Sequence, residues 1–284
     1  MTGLLLLDKE EGWTSHDAVA RLRGQLGERR IGHAGTLDPM ATGLLVILLG
    51  RGTRAAEFAE AQEKEYEAVL RLGQVTDTQD VTGTTLSESE LLPDEAALCA
   101  VLPRFTGEIA QIPPMYSAIK VHGQKLYDIA RRGGEIERAP RPVTIHALEL
   151  LSFDGRDARL RVVCSKGTYI RTLCHDIGAA LGCGGCMAAL RRIRCGQLRV
   201  ADACLIRDAS AERVLPLDSL FSDLPALTLS AAQERRCRCG NTFRAAGGTT
   251  GRCRFYSENG EFLALGELSG GEGRSVKSFF EVNS

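Results

Sequence analysis

The sequence predicts an α+β fold with a largely antiparallel sheet, followed by a small β-rich domain at the carboxyl end. Strand-like and helix-like segments interleave over residues 1–222 without the regular alternation of a doubly wound fold. Beyond Asp223 the pattern changes to short β-like stretches separated by glycine-rich turns. We therefore expect a larger domain over residues 1–222 and a smaller one over residues 223–284.

Two apolar runs flank a glycine-rich loop near the amino end. The first run, within residues 3–8, predicts a buried strand, and Ser15 is placed to cap a helix that ends near Gly27. Residues 32–43 contain three glycines and a proline, which predicts an irregular loop, and the run at residues 44–49 predicts a second buried strand. A polar loop between two buried strands is a common place for catalytic side chains.

The middle of the chain continues with strands and helices. Residues 65–72 alternate strictly, which places Tyr66 on the core-facing side of a strand. Pro93 and the two acidic residues after it open a helix, and the basic stretch between Pro113 and Pro142 suggests an excursion from the sheet. Two strands, at about residues 143–153 and 157–165, and a helix over residues 168–181 complete this part.

Charge and composition limit the possible classes of protein. The net charge of −1 does not by itself indicate a polyanionic partner, yet 29 of the 35 basic residues are arginines, which suit phosphates and bases. They form clusters at residues 131–141, 191–199 and 235–254, although codon bias explains any single cluster equally well. The apolar runs are too short to cross a bilayer and no basic region precedes the first, so we expect a cytoplasmic protein without membrane contact.

The cysteines and the missing motifs point to chemistry without a cofactor. Cys183 and Cys186 form a CxxC pair, but Cys237 and Cys239 form CxC, so we expect reduced thiols, no disulfide and no metal. The sequence contains no phosphate loop, no dinucleotide fingerprint, no zincin motif and no serine-hydrolase elbow. The zinc base-deaminase signature is also absent.

Asp38 is a candidate nucleophile in the glycine-rich loop. A partly buried carboxylate can attack covalently, but it needs a cationic partner to remain ionised. On local pattern alone, a turn in which Asp38 bonds its own backbone is the more common outcome for an Asp-Pro pair. The residues by themselves leave both interpretations open.

The segment GHAGTLDPMATGLL at residues 32–45 closely resembles the motif of the TruB family of tRNA pseudouridine-55 synthases that contains the nucleophilic aspartate. Five further matches follow the family order: DK-x-x-G-x-TS at residues 8–15, KEY at 64–66, LGQVTDTQDVTG at 72–83, PPMYSAIK at 113–120 and KGTYIRTL at 166–173. One departure is Glu10, since the family usually has proline after the opening Asp-Lys pair. Six motifs in the same order identify the chain as a member of this family.

The resemblance implies a fold and an activity. The fold is the pseudouridine-synthase fold, a mostly antiparallel mixed sheet flanked by helices and loops, with an RNA-gripping insertion at about residues 114–142. Residues 223–284 correspond to a PUA-like RNA-binding domain. The activity is isomerisation of uridine 55 in the T-loop of tRNA, with base flipping, without cofactor or metal, by a monomer.

The resemblance also implies roles for individual residues. Asp38 attacks the nucleotide at either C1′ or C6, Arg171 pairs with Asp38, and Tyr66 stacks on the uracil and helps to remove the C5 proton. The remaining positions are expected to bind substrate: Tyr169 and Leu190 in the pocket, His33 in the space that the flipped base leaves, and Lys9, Lys120, Arg191 and Arg192 on phosphates. From the residues alone, Tyr66, Tyr169 and Leu190 are equally plausible core residues.

Asp38, Tyr66, Arg171 and His33 are therefore predicted to converge in one cleft. Two other functions remain open. The first is a tRNA-binding or tRNA-folding protein that grips the T-arm without turnover, and the second is a uracil glycosylase that releases the base.

Overall fold

The computed structural model describes residues 1–117, 120, 121, 124–126, 129, 133, 134, 136–245 and 250–281, with only the backbone of residues 120, 121 and 125. The strands are β1 (Gly3–Lys9), β2 (Ile31–Ala34), β3 (Thr42–Leu49), β4 (Lys64–Leu72), β5 (Gln74–Thr76), β6 (Thr85–Glu88), β7 (Gly107–Gln111), β8 (Lys120–Val121), β9 (Gln124–Lys125), β10 (Arg141–Phe153), β11 (Asp157–Cys164), β12 (Gly185–Cys195), β13 (Leu198–Arg199), β14 (Ala226–Thr228), β15 (Phe243–Arg244), β16 (Gly251–Tyr256), β17 (Phe262–Ser269) and β18 (Glu272–Ser278). The α-helices are α1 (Ser15–Leu26), α2 (Ala56–Ala61), α3 (Glu95–Val101), α4 (Ile170–Ala180) and α5 (Ala231–Arg238). Within these described ranges, none of the helices has both the length and the apolar character needed to cross a membrane.

The chain forms two compact units. Unit 1 comprises Met1–Pro39, Leu44–Glu60 and Gly196–Ser284, and unit 2 comprises Met40–Gly43 and Ala61–Cys195. Strand β3 contributes to both, since its first two residues belong to unit 2 and the rest to unit 1.

The sheet of unit 2 follows the order β12, β4, β11, β10, β7, and these neighbours pair antiparallel. The start of β3 pairs parallel with β12, at Thr42 with Arg191 and Gly43 with Arg192. The predicted antiparallel mixed sheet is therefore confirmed. So is the alternation of β4, which buries Tyr66 and every second residue to Leu72 while the residues between them are half-exposed.

Strand β12, which joins β4 to the start of β3, is an element that sequence analysis did not predict. Its arginines suggested a basic surface cluster, because consecutive charged residues rarely enter a buried strand. In the structure Arg192 lies on the buried side, and Arg194 pairs with Glu63 and Glu65. Two register shifts, around residues 188 and 193, also interrupt the strict alternation by which a strand is usually predicted.

The structure of unit 1 differs from two predictions made for the amino end of the chain. Helix α1 is capped by Thr14 instead of Ser15, since the Thr14 hydroxyl accepts the Asp17 amide and the Asp17 carboxylate accepts the Thr14 amide. The loop predicted at residues 32–43 is shorter, because Ile31–Ala34 form β2 and pair antiparallel with β3. The predicted helix end at Gly27 is confirmed by its left-handed backbone.

The carboxyl-terminal part of unit 1 contains a separate five-stranded sheet in the order β14, β16, β17, β18, β15. Its core contains Phe243, Phe255, Leu263 and Phe280. Strands β16, β17 and β18 lie in the region beyond Asp223 where the sequence predicted short β-like stretches, so the β-rich character of this region is confirmed.

The close approach of Gly43 in β3 to β12 leads to a testable prediction about stability. The φ of +96° at Gly43 is unfavourable for other residues, and a Cβ atom would lie 2.3 Å from the Arg192 carbonyl oxygen. The matched control is Gly155, which has a φ of +99° and no heavy atom within 4 Å of the place that a Cβ atom would occupy. We expect Gly155→Ala to lower the free energy of unfolding by about 1–2 kcal/mol from backbone strain alone. Gly43→Ala should cost about 1–3 kcal/mol more because of the clash. Thermal and urea unfolding measure both variants, and equal losses would contradict the tight junction.

Candidate active site

Asp38 lies in a loop whose two flanking residues are held by the opening motif of the chain. The Leu37 amide donates to the Ser15 hydroxyl (2.9 Å), which in turn donates to the Leu37 carbonyl (3.1 Å). On the other side, the Gly12 amide donates to the Pro39 carbonyl (2.9 Å). Because Ser15 and Leu37 are buried, these bonds are shielded from water. The half-buried Asp38 is thus presented by a fixed backbone.

Lys9 completes this bracing. Its side chain is 1 % exposed, and its Nζ atom donates to the carbonyl oxygens of Trp13 (2.7 Å), Glu10 (3.1 Å) and Pro39 (3.2 Å). A buried ammonium group that is committed to main-chain carbonyls is poorly placed to meet a phosphate in solution. The geometry therefore favours a bracing role over the phosphate contact expected of Lys9.

His33 lies on β2 in the same unit and is half-buried. Its ring packs edge-on against the exposed ring of His16, with 5.3 Å between the ring centroids. The side chain of His16 therefore supports the imidazole from the first turn of α1. The expected insertion of His33 into an RNA loop stays a prediction.

Arg171 is the second residue of α4, and it is 7 % exposed. Its guanidinium forms an ion pair with Asp80 (3.6 Å) and donates to the carbonyl oxygens of Thr78 (3.3 Å) and Tyr116 (2.8 Å). Arg171 is therefore a structured cation inside unit 2, unlike the solvated helix arginine that its sequence position also permits.

Asp80 is a functional candidate that sequence reasoning missed. It is 4 % exposed, and its other carboxylate oxygen accepts from the hydroxyl of Thr78 (2.9 Å) and the amide of Thr82 (3.0 Å). The preceding Gln79 has a φ of +63°, the one non-glycine residue with positive φ among those described. This strained turn aims Asp80 at Arg171. The sequence did contain a signal for Asp80, because this residue lies in the family segment at residues 72–83. The segment alone does not indicate a role for it.

Tyr169 is half-buried and immediately precedes α4. The amide side chain of Gln111, which is 1 % exposed, accepts the Tyr169 amide (2.9 Å) and donates to the Tyr169 carbonyl (3.1 Å). Gln111 thereby holds the start of the helix that carries Arg171. Sequence reasoning also missed this residue, since a polar residue at the end of an edge strand gives no distinct pattern.

Tyr66 lies on the buried face of β4 and is 9 % exposed. It stands directly opposite Arg192 of β12, whose side chain is 2 % exposed and hydrogen-bonded to it. Burial raises the pKa of the Tyr66 phenol above its ordinary value, and the nearby positive charge of Arg192 partly offsets that rise. Burial of Arg192 also argues against the phosphate contact expected of it.

Leu190 and the remaining expected phosphate ligands lie on β12 and β8. Leu190 is half-exposed and pairs with Ala68, next to Tyr66 along the same strands. Arg191 is half-exposed, and its guanidinium lies 3.4 Å from the Thr42 hydroxyl. The side chain of Lys120 lies outside the described residues, so its expected phosphate contact stays a prediction.

The structure thus assembles the expected residues in two sets. Unit 1 contains Asp38 in its braced loop, with His33 and Lys9, and unit 2 contains Tyr66 with Leu190, and Arg171 with Tyr169. Convergence of Asp38 with Tyr66 and Arg171 in one cleft stays a prediction.

Comparison with known proteins gives consistent matches. The TruB family pseudouridylate synthase N-terminal domain matches residues 23–170, and the tRNA pseudouridylate synthase B C-terminal domain matches residues 171–222. The chain is 45 % identical over 273 residues to tRNA pseudouridine synthase B of Dechloromonas aromatica, covering 93 % of this chain and 91 % of that protein. It is 42 % identical over 281 residues to the protein of the same name from Pseudomonas fluorescens strain Pf0-1, covering 95 % and 92 %.

Solved structures share the fold. A chain in a Cbf5–Nop10–Gar1 complex is 26 % identical with a TM-score of 0.75, and covers 98 % of this chain and 85 % of its own length. A chain in an H/ACA ribonucleoprotein bound to a substrate RNA containing 2′-deoxyuridine has the same TM-score at 24 % identity, covering 99 % and 86 %. Together with the family match over half of the sequence, these relatives show that the chain belongs to the TruB family of pseudouridylate synthases and is an isomerase.

Proposed function

We propose that this protein converts uridine 55 in the T-loop of tRNA into pseudouridine in the cytoplasm, as a monomer, with Asp38 as the nucleophile. The observation that carries the proposal is the bracing of the Asp38 loop, in which Lys9, Gly12 and Ser15 hold both neighbours of one carboxylate. The relatives named tRNA pseudouridine synthase B support the substrate class.

The proposed reaction moves one bond and one proton. The target uridine leaves the base stack and enters the site, since an enzyme cannot reach the glycosidic bond of a stacked base from all sides. Asp38 attacks C1′ or C6, the N1–C1′ bond breaks, the uracil turns over, and a C5–C1′ bond forms; the bond to Asp38 breaks as the base is rejoined, which restores the free carboxylate. The proton on C5 is lost and N1 gains one, so no cofactor is required.

Unit 2 supplies the features that such a site needs. Tyr66 has an aromatic face for the uracil, with Leu190 beside it along the sheet. Arg171 is held rigid by Asp80 and two carbonyls, and a rigid buried cation is a suitable partner for an ionised aspartate. Asp38 lies five residues before Gly43 in the chain, and Gly43 is fixed against the strand residue opposite Tyr66. This chain order supports the proposed convergence.

Replacing Asp38 by Asn tests the proposed nucleophile. The amide is nearly isosteric but cannot form the covalent bond, so we expect the single-turnover rate on tRNA to fall by at least about 10,000-fold. Affinity for tRNA should stay within about threefold, because the contacts that position RNA are made elsewhere. Carbodiimide mapping of position 55 measures product, and filter binding measures affinity.

The same assay separates the three candidate functions. Pseudouridine at position 55 with the unmodified protein, and its loss with Asp38→Asn, supports the proposal. Tight binding of tRNA without any pseudouridine would identify a binding protein, and free uracil would identify a glycosylase. Near-normal turnover by Asp38→Asn would refute the assigned nucleophile.

Asp80→Asn tests the support of Arg171. Loss of the negative charge loosens the guanidinium, and small misplacement of a catalytic group costs about 10–100-fold in rate. We expect that fall in single-turnover rate with unchanged tRNA affinity. Asp77→Asn is the matched control in the same turn, since Asp77 is exposed and its carboxylate accepts the Thr84 amide (2.7 Å). An equal effect of both variants would show that only the turn matters.

Lys9→Met distinguishes bracing from phosphate contact. Three carbonyls lose a buried donor, so we expect the free energy of unfolding to fall by about 1–3 kcal/mol. The dependence of tRNA affinity on salt should remain unchanged, whereas a lost phosphate contact lowers its slope by about 1. Lys277→Met is the control, because Lys277 pairs with Glu57 at the surface (2.7 Å). A reduced salt slope with normal stability would restore the original expectation for Lys9.

A further inference from the structure

Arg192 is a buried cation to which the proposed reaction assigns no role. It is among the largest fully buried side chains of the described residues, on a strand whose other buried side chains include Cys186, Met187 and Cys195. Burying a guanidinium is unfavourable unless the fold provides partners. An apolar residue would fill this position at lower cost, so the charge invites a functional explanation.

The register of the sheet directs Arg192 at Tyr66. The two residues are directly opposite in the antiparallel β4–β12 pair, so their side chains project from the same face. An arginine has only donors, and therefore the hydrogen bond between the side chains ends on the phenol oxygen. The Arg192 backbone is itself held against Gly43, where no Cβ atom fits. The guanidinium thus approaches the phenol from a fixed strand.

We propose that Arg192 is a positioning residue that acts through Tyr66, holding the phenol oxygen in place and favouring its phenolate form during removal of the C5 proton. The inference rests on the proposed function, since it assumes that Tyr66 meets uracil. The phenolate oxygen takes the proton from C5, and the C–H electron pair forms the C5=C6 double bond. The C6=N1 electron pair passes to N1, which takes up a proton from water, and the Tyr66 phenol returns its proton to water, so that overall one proton moves from C5 to N1 and Tyr66 is again a phenolate.

The two thiols around Tyr66 do not supply this charge. Cys195 on β12 and Cys164 on β11 face the phenol, and burial raises the pKa of both thiols, to about 11 for Cys164. Both therefore stay neutral near pH 7. Lys64 on β4 lies near both thiols, and its Nζ donates to the Gln62 carbonyl (2.6 Å).

The sign of the pH effect follows from the charge. A cation beside the phenol favours phenolate, so Arg192 lowers the pKa of Tyr66 relative to burial alone. Removing the cation raises that pKa further. The rise of the reaction rate with pH should then move to higher pH.

The test compares Arg192→Gln with the unmodified protein on tRNA carrying uridine or 5-deuterouridine at position 55. We expect a fall of about 10–100-fold in the single-turnover rate at saturating enzyme, with tRNA affinity within about twofold. The deuterium isotope effect should increase, because C5 deprotonation becomes slower than the other steps. The rise of the rate with pH should shift to higher pH.

Arg161→Gln is the control. Arg161 pairs with Glu65 and Glu149 across the same sheet, and its loss should change neither the rate, the affinity, the isotope effect nor the pH profile.

Arg192→Lys keeps a charge at a shorter reach, and we expect an intermediate rate with a smaller increase in isotope effect. If Arg192→Gln does not fold, this second variant carries the test. A folded Arg192→Gln with normal rate, isotope effect and pH profile would overturn the inference, as would an Arg192→Lys protein with all three unchanged. Weaker tRNA binding with a normal saturated rate would overturn it in favour of a phosphate contact. Absence of turnover by the unmodified protein would instead refute the proposed function.

Discussion

Lys9, Arg171 and Arg192 carry positive charge into places where water solvates it poorly, and each must be compensated locally. The partners include main-chain carbonyls for Lys9, a carboxylate and two carbonyls for Arg171, and a phenol for Arg192. Carbonyl partners belong to specific turns, so each buried cation also fixes the backbone around it. This explains why the loop around Asp38 and the turn at Asp80 are both well defined although neither is regular secondary structure.

Sequence patterns predicted those parts of the fold whose burial follows a simple period. Strands β4 and β11 alternate, and helix α1 ends at a glycine, so each was readable locally. Strand β12 was not, because the inward placement of Arg192 depends on a phenol supplied by another strand. The cap of α1 shows the same limit: Thr14 and Ser15 are both competent caps, and only the backbone of Leu37 decides that Ser15 is used elsewhere. For the site, residue identities came from family motifs, whereas the supporting contacts of Asp80 and Gln111 join segments that are distant in the chain and follow no local pattern.

The opening motif shows how a departure from the family pattern can be tolerated. Glu10 stands where the family usually has proline, yet Lys9 donates to the main-chain carbonyl of this residue (3.1 Å). Proline lacks the amide donor but retains that carbonyl, so either residue provides the same acceptor. Gly12 and Ser15, which hold Pro39 and Leu37, are unchanged. The substitution therefore leaves the support of Asp38 intact.

Several arginines of the basic clusters bind partners within the protein. Arg194 pairs with Glu63 and Glu65, Arg138 donates to the Pro113 carbonyl (3.2 Å), and Arg238 pairs with Glu234. These side chains are used for holding strands and turns together, in a protein whose net charge is −1. A strong general attraction for polyanions is not the expected result of such an arrangement. In the proposed reaction, selectivity for one uridine would then arise from the shape of the RNA loop and from stacking of the extruded base, because bulk charge supplies little of it.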